Sequence, residues 1–348
     1  MLRLDGAQRS GSGTIIRTAV TLATLKGEEL HIWNIRAKRG KPGLRPQHLQ
    51  AIRACQEICQ GEVEGARVGS REIFYRPGQE IRGGHYEWNI GTAGSTTMLA
   101  LTILPLACFA SGPLNFRVTG GLFQDFAPSA FHTKYVLLPL LRRMGLEAEL
   151  EIERPGYVPE GGGVLSVRAK PARLRALKLT DRGQVSHIRG IALSSHLKEA
   201  EVSERMAEEC RRVLQRQGLE AAIETLYDDH AAQKGAALGI WAETATGCLI
   251  GADMAGRPGR RSEQIARRVA QDLLQTLKSG ATVDRFLADQ LIIYCALAEG
   301  TSEYTLPELT DHVETNLWLA EEILGAEIES EGNRVRVHGI GFRRKILC

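Results

Sequence analysis

The feature that most restricts the fold of this chain is a pattern repeated three times along its 348 residues. Each copy begins with an apolar run typical of a buried helix, at residues 14–25, 95–106 and 283–294. Each run ends at a glycine (Gly27, Gly112 or Gly300) and leads into a strand-like segment, at 29–35, 114–119 and 302–306. A second helix is predicted near Pro46, Pro128 and His312, and a strand pair such as 147–152 with 164–167 closes the copy. The sequence therefore predicts an α/β (α+β) fold with three βαβαββ units.

Residues 185–279 do not fit this repeat and carry a pattern of their own. Strands are predicted at 188–194, 221–226, 236–244 and 247–252, and amphipathic helices at 200–217 and 262–279. Glycines at the two junctions, Gly183 and Gly280, are typical of crossings between domains. We therefore expect a large repeat domain, residues 1–184 with 280–348, and a small α/β insert domain, residues 185–279, within the third unit.

Composition limits the class of protein. A hydrophobic content of 43% is enough for a core in each domain. The seven cysteines are an odd number and lie mostly inside helix or strand patterns, which favours buried free thiols over disulfides. Cys55 and Cys59 have no second Cys or His pair to complete a zinc site. No signal sequence or membrane-spanning run is visible, so we expect a cytoplasmic protein without membrane contact.

The net charge of +3 is too small to predict nucleic-acid binding, but the positive charges are unevenly placed. Five of them occupy a Gly/Pro-containing loop at 36–45, namely Arg36, Lys38, Arg39, Lys41 and Arg45. This loop is either a contact to an RNA backbone or end, or an ordinary exposed loop. The same alternatives hold for the second basic run, at 257–261, in the insert.

His312 is the candidate nucleophile. It follows Asp311 at the start of a helix-like run, and Asp311 with Glu314 resembles a capping box. In the first turn the imidazole would lie beside unpaired N–H groups and the positive end of the helix dipole, which attract anions and keep the ring neutral. The alternative is a solvated histidine without function. A second candidate anion contact, the Gly-rich segment 6–13, lacks the Lys-Ser/Thr of a P-loop and fits a tight turn equally well.

Taken in order, these motifs resemble the RNA 3′-terminal phosphate cyclases over nearly the whole chain. The matching segments include Leu-Asp-Gly-Ala-Gln at 4–8 with Arg17, the basic loop at 35–44 with 47–49, Arg-Gly-Gly at 82–84 with 90–95, 120–121 with 127–128, 155–163, 287–291, and His312 with Thr315 and Asn316.

The resemblance implies three βαβαββ units packed as a prism and ATP-driven conversion of an RNA 3′-phosphate to a 2′,3′-cyclic phosphate, assisted by Mg²⁺ or Mn²⁺. It implies that His312 attacks the α-phosphorus to form a histidine–AMP intermediate. The residues that match the family's nucleotide pocket are Arg17, Arg39, Gln47, Pro128, Phe286, Asp289 and Gln290. RNA is the expected partner, with Arg36, Lys38, Lys41 and Arg45 as its contacts; the oligomeric state is not predicted.

This chain departs from the family pattern at three positions. Ser10 stands where the family carries a glutamate implicated in metal contact, so the metal ligands are unassigned. Leu101 replaces a frequent glutamine and Phe286 a tyrosine, so a preference for ATP over GTP is not predicted.

Two rival functions stay open. One is an inactive cyclase-like RNA-binding or rRNA-processing factor, against which His312 argues. The other is an enolpyruvyl transferase, which would need two full three-unit domains and therefore a longer chain.

Overall fold

The computed structural model describes residues 1–344 and shows an α/β protein with four four-stranded mixed sheets. The first unit contains β1 (Leu2–Asp5), α1 (Gly13–Lys26), β2 (Leu30–Trp33), α2 (Pro46–Cys59), β3 (Glu62–Glu64) and β4 (Ile73–Arg76). The second contains β5 (Gly84–Asn89), α3 (Thr96–Ala107), β6 (Leu114–Gly120), α4 (Ala130–His132), α5 (Leu138–Arg143), β7 (Ala148–Arg154) and β8 (Gly163–Ala169). A π-helical turn, Thr133–Leu137, joins α4 to α5.

The third unit begins with β9 (Lys178–Leu179), and a separate group of elements follows before it resumes. That group contains β10 (Val185–Ser195), α6 (Val202–Gln215), β11 (Ala222–Asp228), β12 (Gly235–Thr244), β13 (Leu249–Ala255) and α7 (Ser262–Ser279). The unit continues with α8 (Leu287–Leu297), β14 (Glu299–Thr305), α9 (Asp311–Leu319), β15 (Glu327–Glu331) and β16 (Arg334–Ile340).

Three of the sheets have the same strand order. They read β1-β2-β4-β3, β5-β6-β8-β7 and β9-β14-β16-β15. In each, the first two strands are parallel and the other pairs are antiparallel. The parallel pair requires a crossover, and α1, α3 and α8 are the helices that precede the second strand of each pair. These three helices are buried over most of their length, as their uniformly apolar sequences predict.

The fourth sheet, β11-β10-β12-β13, is covered on both faces. Along β12, Leu238 and Ile240 pack with helices α6 and α7, whereas Ala237 and Trp241 belong to the hydrophobic core of the repeat units. This alternation is the period of two that a strand gives its side chains. On the second face, the Trp241 ring stacks on Tyr135, with 4.5 Å between ring centroids.

Some predicted boundaries are wrong. The helix expected from 283 begins at Leu287, because the Asp284 carboxylate accepts hydrogen bonds from the Phe286 and Leu287 N–H groups and holds the preceding residues in a turn. Helices α3 and α8 end at Ala107 and Leu297, before the glycines expected to end them. The strand expected at 302–306 is Glu299–Thr305.

Two other findings concern composition. The six cysteines in the described part of the chain are buried free thiols, as predicted, and Cys348 lies outside it. Among residues 1–344, none of the helices combines the length and the apolar character needed to span a bilayer.

Candidate active site

His312 lies in the first turn of α9, as predicted, but its helix is capped differently. The N-cap is Thr310, whose hydroxyl accepts a hydrogen bond from the Val313 N–H at 3.3 Å. The predicted capping box of Asp311 and Glu314 is therefore wrong, because Asp311 is already the first helical residue. The shift moves His312 to the second helical position, where backbone N–H groups are still without helical partners.

The surroundings of the imidazole favour its neutral form. Partial burial, followed by the charges of Arg17 and Arg39, lowers the pKa of His312 below 6.5. The sequence predicted a neutral ring from the helix dipole; the structure identifies desolvation and two arginines as the causes. A neutral ring has a nitrogen lone pair and can act as a nucleophile.

A hydrogen bond with a threonine orients the imidazole of His312. Thr14 Oγ1 lies 2.9 Å from His312 Nδ1. If Nδ1 carries the proton and donates to Thr14, the lone pair is on Nε2, the nitrogen that faces away from the threonine. Sequence reasoning did not select Thr14; its only signal was its place at the start of α1, directly after the Gly-rich segment.

Helices from all three units meet beside this pair. Arg17 and Thr18 of α1, Leu101 of α3, and Asp289 and Gln290 of α8 line a cavity of about 40 Å³. The structure thus brings together three of the predicted nucleotide-binding residues, from helices far apart in sequence. Small-molecule pockets usually measure roughly 300–1,000 Å³. The cavity can therefore hold only one end of a nucleotide, and the rest would lie over the surface around His312.

Two buried ionisable side chains, Arg17 and Asp289, line the cavity. Burial lowers the pKa of Arg17 to about 10, which leaves the guanidinium charged at neutral pH. Burial raises the pKa of Asp289 to about 7, against the opposing effects of Gln290 and Arg17. The Gln290 side-chain amide donates to Asp289 Oδ1 at 3.0 Å. Asp289 can therefore exchange a proton near neutral pH. Its protonated form can donate a hydrogen bond to a ribose hydroxyl, and its ionised form can accept one.

The basic loop reaches the site from one side. Arg39 donates to the Ser10 carbonyl and Lys38 to the Arg9 carbonyl, each at 3.4 Å. Arg36 instead binds the loop itself, since its Nη1 donates to the carbonyls of Lys41 and Gly43, both at 2.8 Å. Lys38, Arg39, Lys41 and Arg45 are exposed. The loop is thus a folded structure that presents cations next to the Gly-rich segment.

The remaining predicted nucleotide residues do not line the cavity. Gln47 Oε1 accepts from the Ser95 N–H at 3.2 Å, and the Pro128 carbonyl accepts from the Thr97 hydroxyl at 2.7 Å. Phe286 packs on His132, with 5.3 Å between ring centroids. These three residues therefore contact Ser95, Thr97 and His132, and they are absent from the lining of the cavity that contains Arg17 and Asp289.

The Gly-rich segment is built from hydroxyl groups. Ser10 Oγ lies 2.9 Å from Ser12 Oγ and accepts from the Thr315 hydroxyl at 2.9 Å. Gly13 allows a close approach, because a Cβ there would lie 2.1 Å from His48 Nε2. Hydroxyls are weaker ligands for Mg²⁺ or Mn²⁺ than carboxylates. Within residues 1–344 no group of three or more His, Cys, Asp or Glu side chains is arranged to hold a metal. The residues present therefore do not fit a resident divalent cation.

The chain is similar to known proteins over nearly its whole length. The family described as "RNA 3′-terminal phosphate cyclase" matches residues 8–330. A protein of that name from Methanopyrus kandleri is 37% identical over 339 residues, covering 95% of this chain and 96% of that protein. One from Pyrobaculum neutrophilum is 35% identical over 346 residues, covering 98% and 99%. One from Pyrococcus furiosus is 37% identical over 334 residues, covering 95% and 96%.

Among solved structures, the enolpyruvyl transferase NikO from Streptomyces tendae matches with a TM-score of 0.29 at 15% identity, over 49% of this chain and 33% of that one. That likeness is too low to bear on the fold. The family match spans most of the chain, and the relatives are similar along almost their entire lengths. This chain belongs to the RNA 3′-terminal phosphate cyclase family.

Proposed function

We propose that the protein converts an RNA 3′-terminal phosphate to a 2′,3′-cyclic phosphate with ATP, through a covalent intermediate on His312. The observation that supports this most strongly is the hydrogen bond between His312 Nδ1 and Thr14 Oγ1, in a ring whose neutral form is favoured beside Arg17 and Arg39. With the proton on Nδ1, Nε2 has a lone pair at a helix N-terminus, where a phosphate is favourably bound.

The reaction proceeds in three displacements at phosphorus. His312 Nε2 attacks the α-phosphorus of ATP, a nitrogen–phosphorus bond forms, and pyrophosphate leaves. An oxygen of the RNA 3′-phosphate then attacks the same phosphorus and displaces the histidine, which gives an adenylated RNA end. Finally the neighbouring 2′-hydroxyl attacks the RNA phosphorus, AMP leaves, and the hydroxyl proton passes to solvent. Closure of a five-membered ring gives this last step a large proximity advantage.

The side chains divide this work by charge. Arg17 and Arg39 neutralise the negative charge that grows on the phosphate oxygens. Asp289 and Gln290 bind the ribose, and Gln47, Pro128 and Phe286 enclose the rest of the nucleotide. Lys38, Lys41 and Arg45, with Arg36 shaping their loop, hold the RNA end. In this proposal the three repeat units pack as a prism, with residues 1–184 and 280–348 forming one domain and residues 185–279 the insert.

The test is covalent labelling with α-phosphate-labelled ATP and, separately, GTP, each with Mg²⁺ and with Mn²⁺. We expect acid-labile, alkali-stable label on the wild type and on His85→Ala, a control at an exposed histidine of β5. His312→Ala should take up none. Labelled wild type is then given RNA with a 3′-phosphate, and release of AMP together with a cyclic end completes the test.

Absence of label on the wild type under every nucleotide and metal would overturn the proposal. Ser10, in place of the family's acidic residue, would then indicate a member of the family that binds RNA without activating it.

A further inference from the structure

A loop beside the proposed nucleotide site exposes an aromatic ring to solvent. Phe126 is 100% exposed, although most phenylalanines of the chain are at least partly buried. Its φ of 70° is in the left-handed region, which a bulky side chain rarely adopts. Exposure of a large apolar ring has no benefit for the folded monomer, and such strain is typically found at functional sites.

The loop is held in place by the inserted segment. Arg260 donates two parallel hydrogen bonds to the carboxylate of Asp125, the neighbour of Phe126, both at 2.9 Å. Arg260 also donates to the Ala255 carbonyl at the end of β13. On the other side of Phe126, Ala127 and Pro128 are buried. The ring is therefore presented from a loop fixed at both ends.

Two further arginines surround this position. Arg257 and Arg285 are exposed, and neither has a carboxylate within ion-pair distance among residues 1–344. The pKa of Asp125 is lowered, mainly by its hydrogen bond with Arg260, which outweighs the opposite effect of partial burial. The charges of Arg257 and Arg285 lower this pKa further. Arg285 lies over the Phe286 ring, 4.6 Å from its centroid. Asp125 is already neutralised by Arg260, so the other two cations are available to a ligand.

An exposed aromatic ring beside unpaired cations has the composition of a single-strand nucleic-acid site, in which bases stack on rings and arginines bind phosphates. We infer that Phe126, Arg257 and Arg285, here called the Phe126 patch, bind single-stranded RNA, with the Phe126 ring stacked on a base close to the 3′ end. The inference rests on the proposed RNA substrate. It gives the basic run 257–261 of the insert a role in holding RNA: Arg257 as a contact and Arg260 as the residue that positions the loop.

The patch is separate from the nucleotide site in the proposed scheme. Pro128 and Phe286 are assigned to ATP, and they are buried or half-buried, as enclosure of a base requires. The Phe126 ring makes no such enclosure and remains open to a strand that arrives from solvent. Phe126 is two residues from Pro128, and Arg285 adjoins Phe286, so RNA bound to the patch would lie next to the residues assigned to ATP.

The test measures binding of a 5′-labelled RNA oligonucleotide with a 3′-phosphate by fluorescence anisotropy, without ATP. Phe126→Asn removes the ring but tolerates the left-handed backbone, and Phe126→Tyr keeps the ring. Base stacking on an aromatic ring is worth enough that Phe126→Asn should raise Kd by roughly tenfold, whereas Phe126→Tyr should stay within about twofold. Phe74→Asn, at a partly exposed phenylalanine of β4, is the matched control and should bind like the wild type.

A second series identifies the stacked base. In a set of RNAs that each lack a different base, we expect the wild type to bind one RNA more weakly, the one that lacks a base near the 3′ end. Loss of that same base should not change the affinity of Phe126→Asn. Arg257→Gln should reduce the slope of log Kd against log salt by about 0.7, the value for one phosphate of a single strand.

The outcomes separate this inference from the proposed function. Unchanged RNA affinity in Phe126→Asn overturns the patch, and so does a loss confined to labelling of His312 by ATP, which would place Phe126 in the nucleotide site. Weaker RNA binding by Phe126→Asn with no labelling of the wild type would leave the patch standing and reject the proposed chemistry alone.

Discussion

The hydrogen bond between Thr14 and His312 is the contact on which nucleophilic attack most depends. Thr14→Val removes the hydroxyl at nearly constant volume and leaves His312 Nδ1 without its partner at 2.9 Å. A lost hydrogen bond of this kind costs about 1 kcal/mol, and a ring free to rotate or change tautomer costs more. We predict that the histidine–AMP adduct forms about five to ten times more slowly in single-turnover experiments. This change corresponds to an increase of roughly 1–1.4 kcal/mol in the activation free energy.

Thr301 provides the matched control for this change. It is a residue of β14, and its hydroxyl lies 3.1 Å from Nδ1 of another histidine, His338 of β16. Thr301→Val should form the adduct at a rate close to that of the wild type, and Thr14→Ser, which keeps a hydroxyl, should recover most of the rate. An unaltered rate in Thr14→Val would show that helix α9 alone orients the imidazole.

Asp289 should make the protein less stable as pH rises. Burial raises its pKa from 3.8 to about 7 in the folded chain. The folded state therefore holds a proton that the unfolded state has lost, so its stabilising effect is complete below pH 3.8 and is lost as pH rises to about 7. The shift corresponds to roughly 4 kcal/mol as an upper bound.

Asp289→Asn removes this titration while its side-chain oxygen can still accept from Gln290. We expect the free energy of unfolding in urea to fall between pH 5 and pH 7 by less in the variant than in the wild type. Other titrating groups are common to both proteins and cancel in the difference. Parallel curves for the two proteins would show that Asp289 is ionised throughout this range.

At the residue level, the sequence predicted which side chains belong to the site better than it predicted which side chains contact one another. Arg17, Asp289 and Gln290 meet in one cavity because the repeat aligns α1 and α8, and a resemblance along the chain identifies such positions. Thr14 was missed, since a threonine has no distinguishing pattern until its partner is known. The role of Arg36 within its own loop depends on the path of the backbone, which side-chain charge does not predict.

Among the elements, the junction between β13, α4 and α8 depends on one carboxylate. Asp284 accepts from the Gly251 and Phe286 N–H groups at 2.8 Å, from the Leu287 N–H at 3.0 Å, and from His132 Nε2 at 3.0 Å. Asp284→Ala would leave a buried imidazole and three backbone donors without partners. We predict a loss of about 3–5 kcal/mol in the free energy of unfolding, measured with urea near neutral pH.

The control is Asp181→Ala. The carboxylate of exposed Asp181 accepts from the Gly183 N–H and from no other group among residues 1–344, so its loss should cost less than about 1 kcal/mol. The charge of His132 adds a pH dependence. Burial lowers its pKa, but Asp284 and then Asp253 outweigh burial and Arg285, so the net pKa is raised above 6.5. The attraction is complete below pH 6.5 and is lost as pH rises through the raised value. The cost of Asp284→Ala should therefore be smaller at pH 9 than at pH 6.

Elements were predictable where local pattern and caps agree. The prediction of a helix at 262–279 is confirmed residue for residue by α7, an amphipathic helix that ends at Gly280 in the left-handed conformation. The start of α8 was wrong because a buried aspartate, bonded across three elements, takes the place of a first helical turn. The π-helical turns Thr133–Leu137 and Ala320–Leu324 were not predicted, since their extra residue per turn is accommodated by tertiary packing.

In the whole molecule, the strand order common to three sheets explains why a site can form from distant residues. Each unit contributes the helix before its second strand, and α1, α3 and α8 line the same cavity. A repeat thus predicts that equivalent positions converge. The repeat does not predict which side chain occupies each of those positions. The departures from the family pattern at Ser10, Leu101 and Phe286 could therefore not be predicted from it.

The net charge of only +3 means that RNA binding should depend on local clusters and not on the overall field. Lys38→Gln with Lys41→Gln removes two exposed cations from the basic loop. We predict that the slope of log Kd against log salt, measured by RNA anisotropy, becomes shallower by about 1.4, the value for two phosphates of a single strand. Arg76→Gln with Lys170→Gln changes the net charge equally, but those cations are paired with Glu29, Glu62 and Glu147. That control should leave the slope unchanged. Equal changes in both double variants would show that overall charge governs RNA binding, and the basic loop would then lose its assigned role.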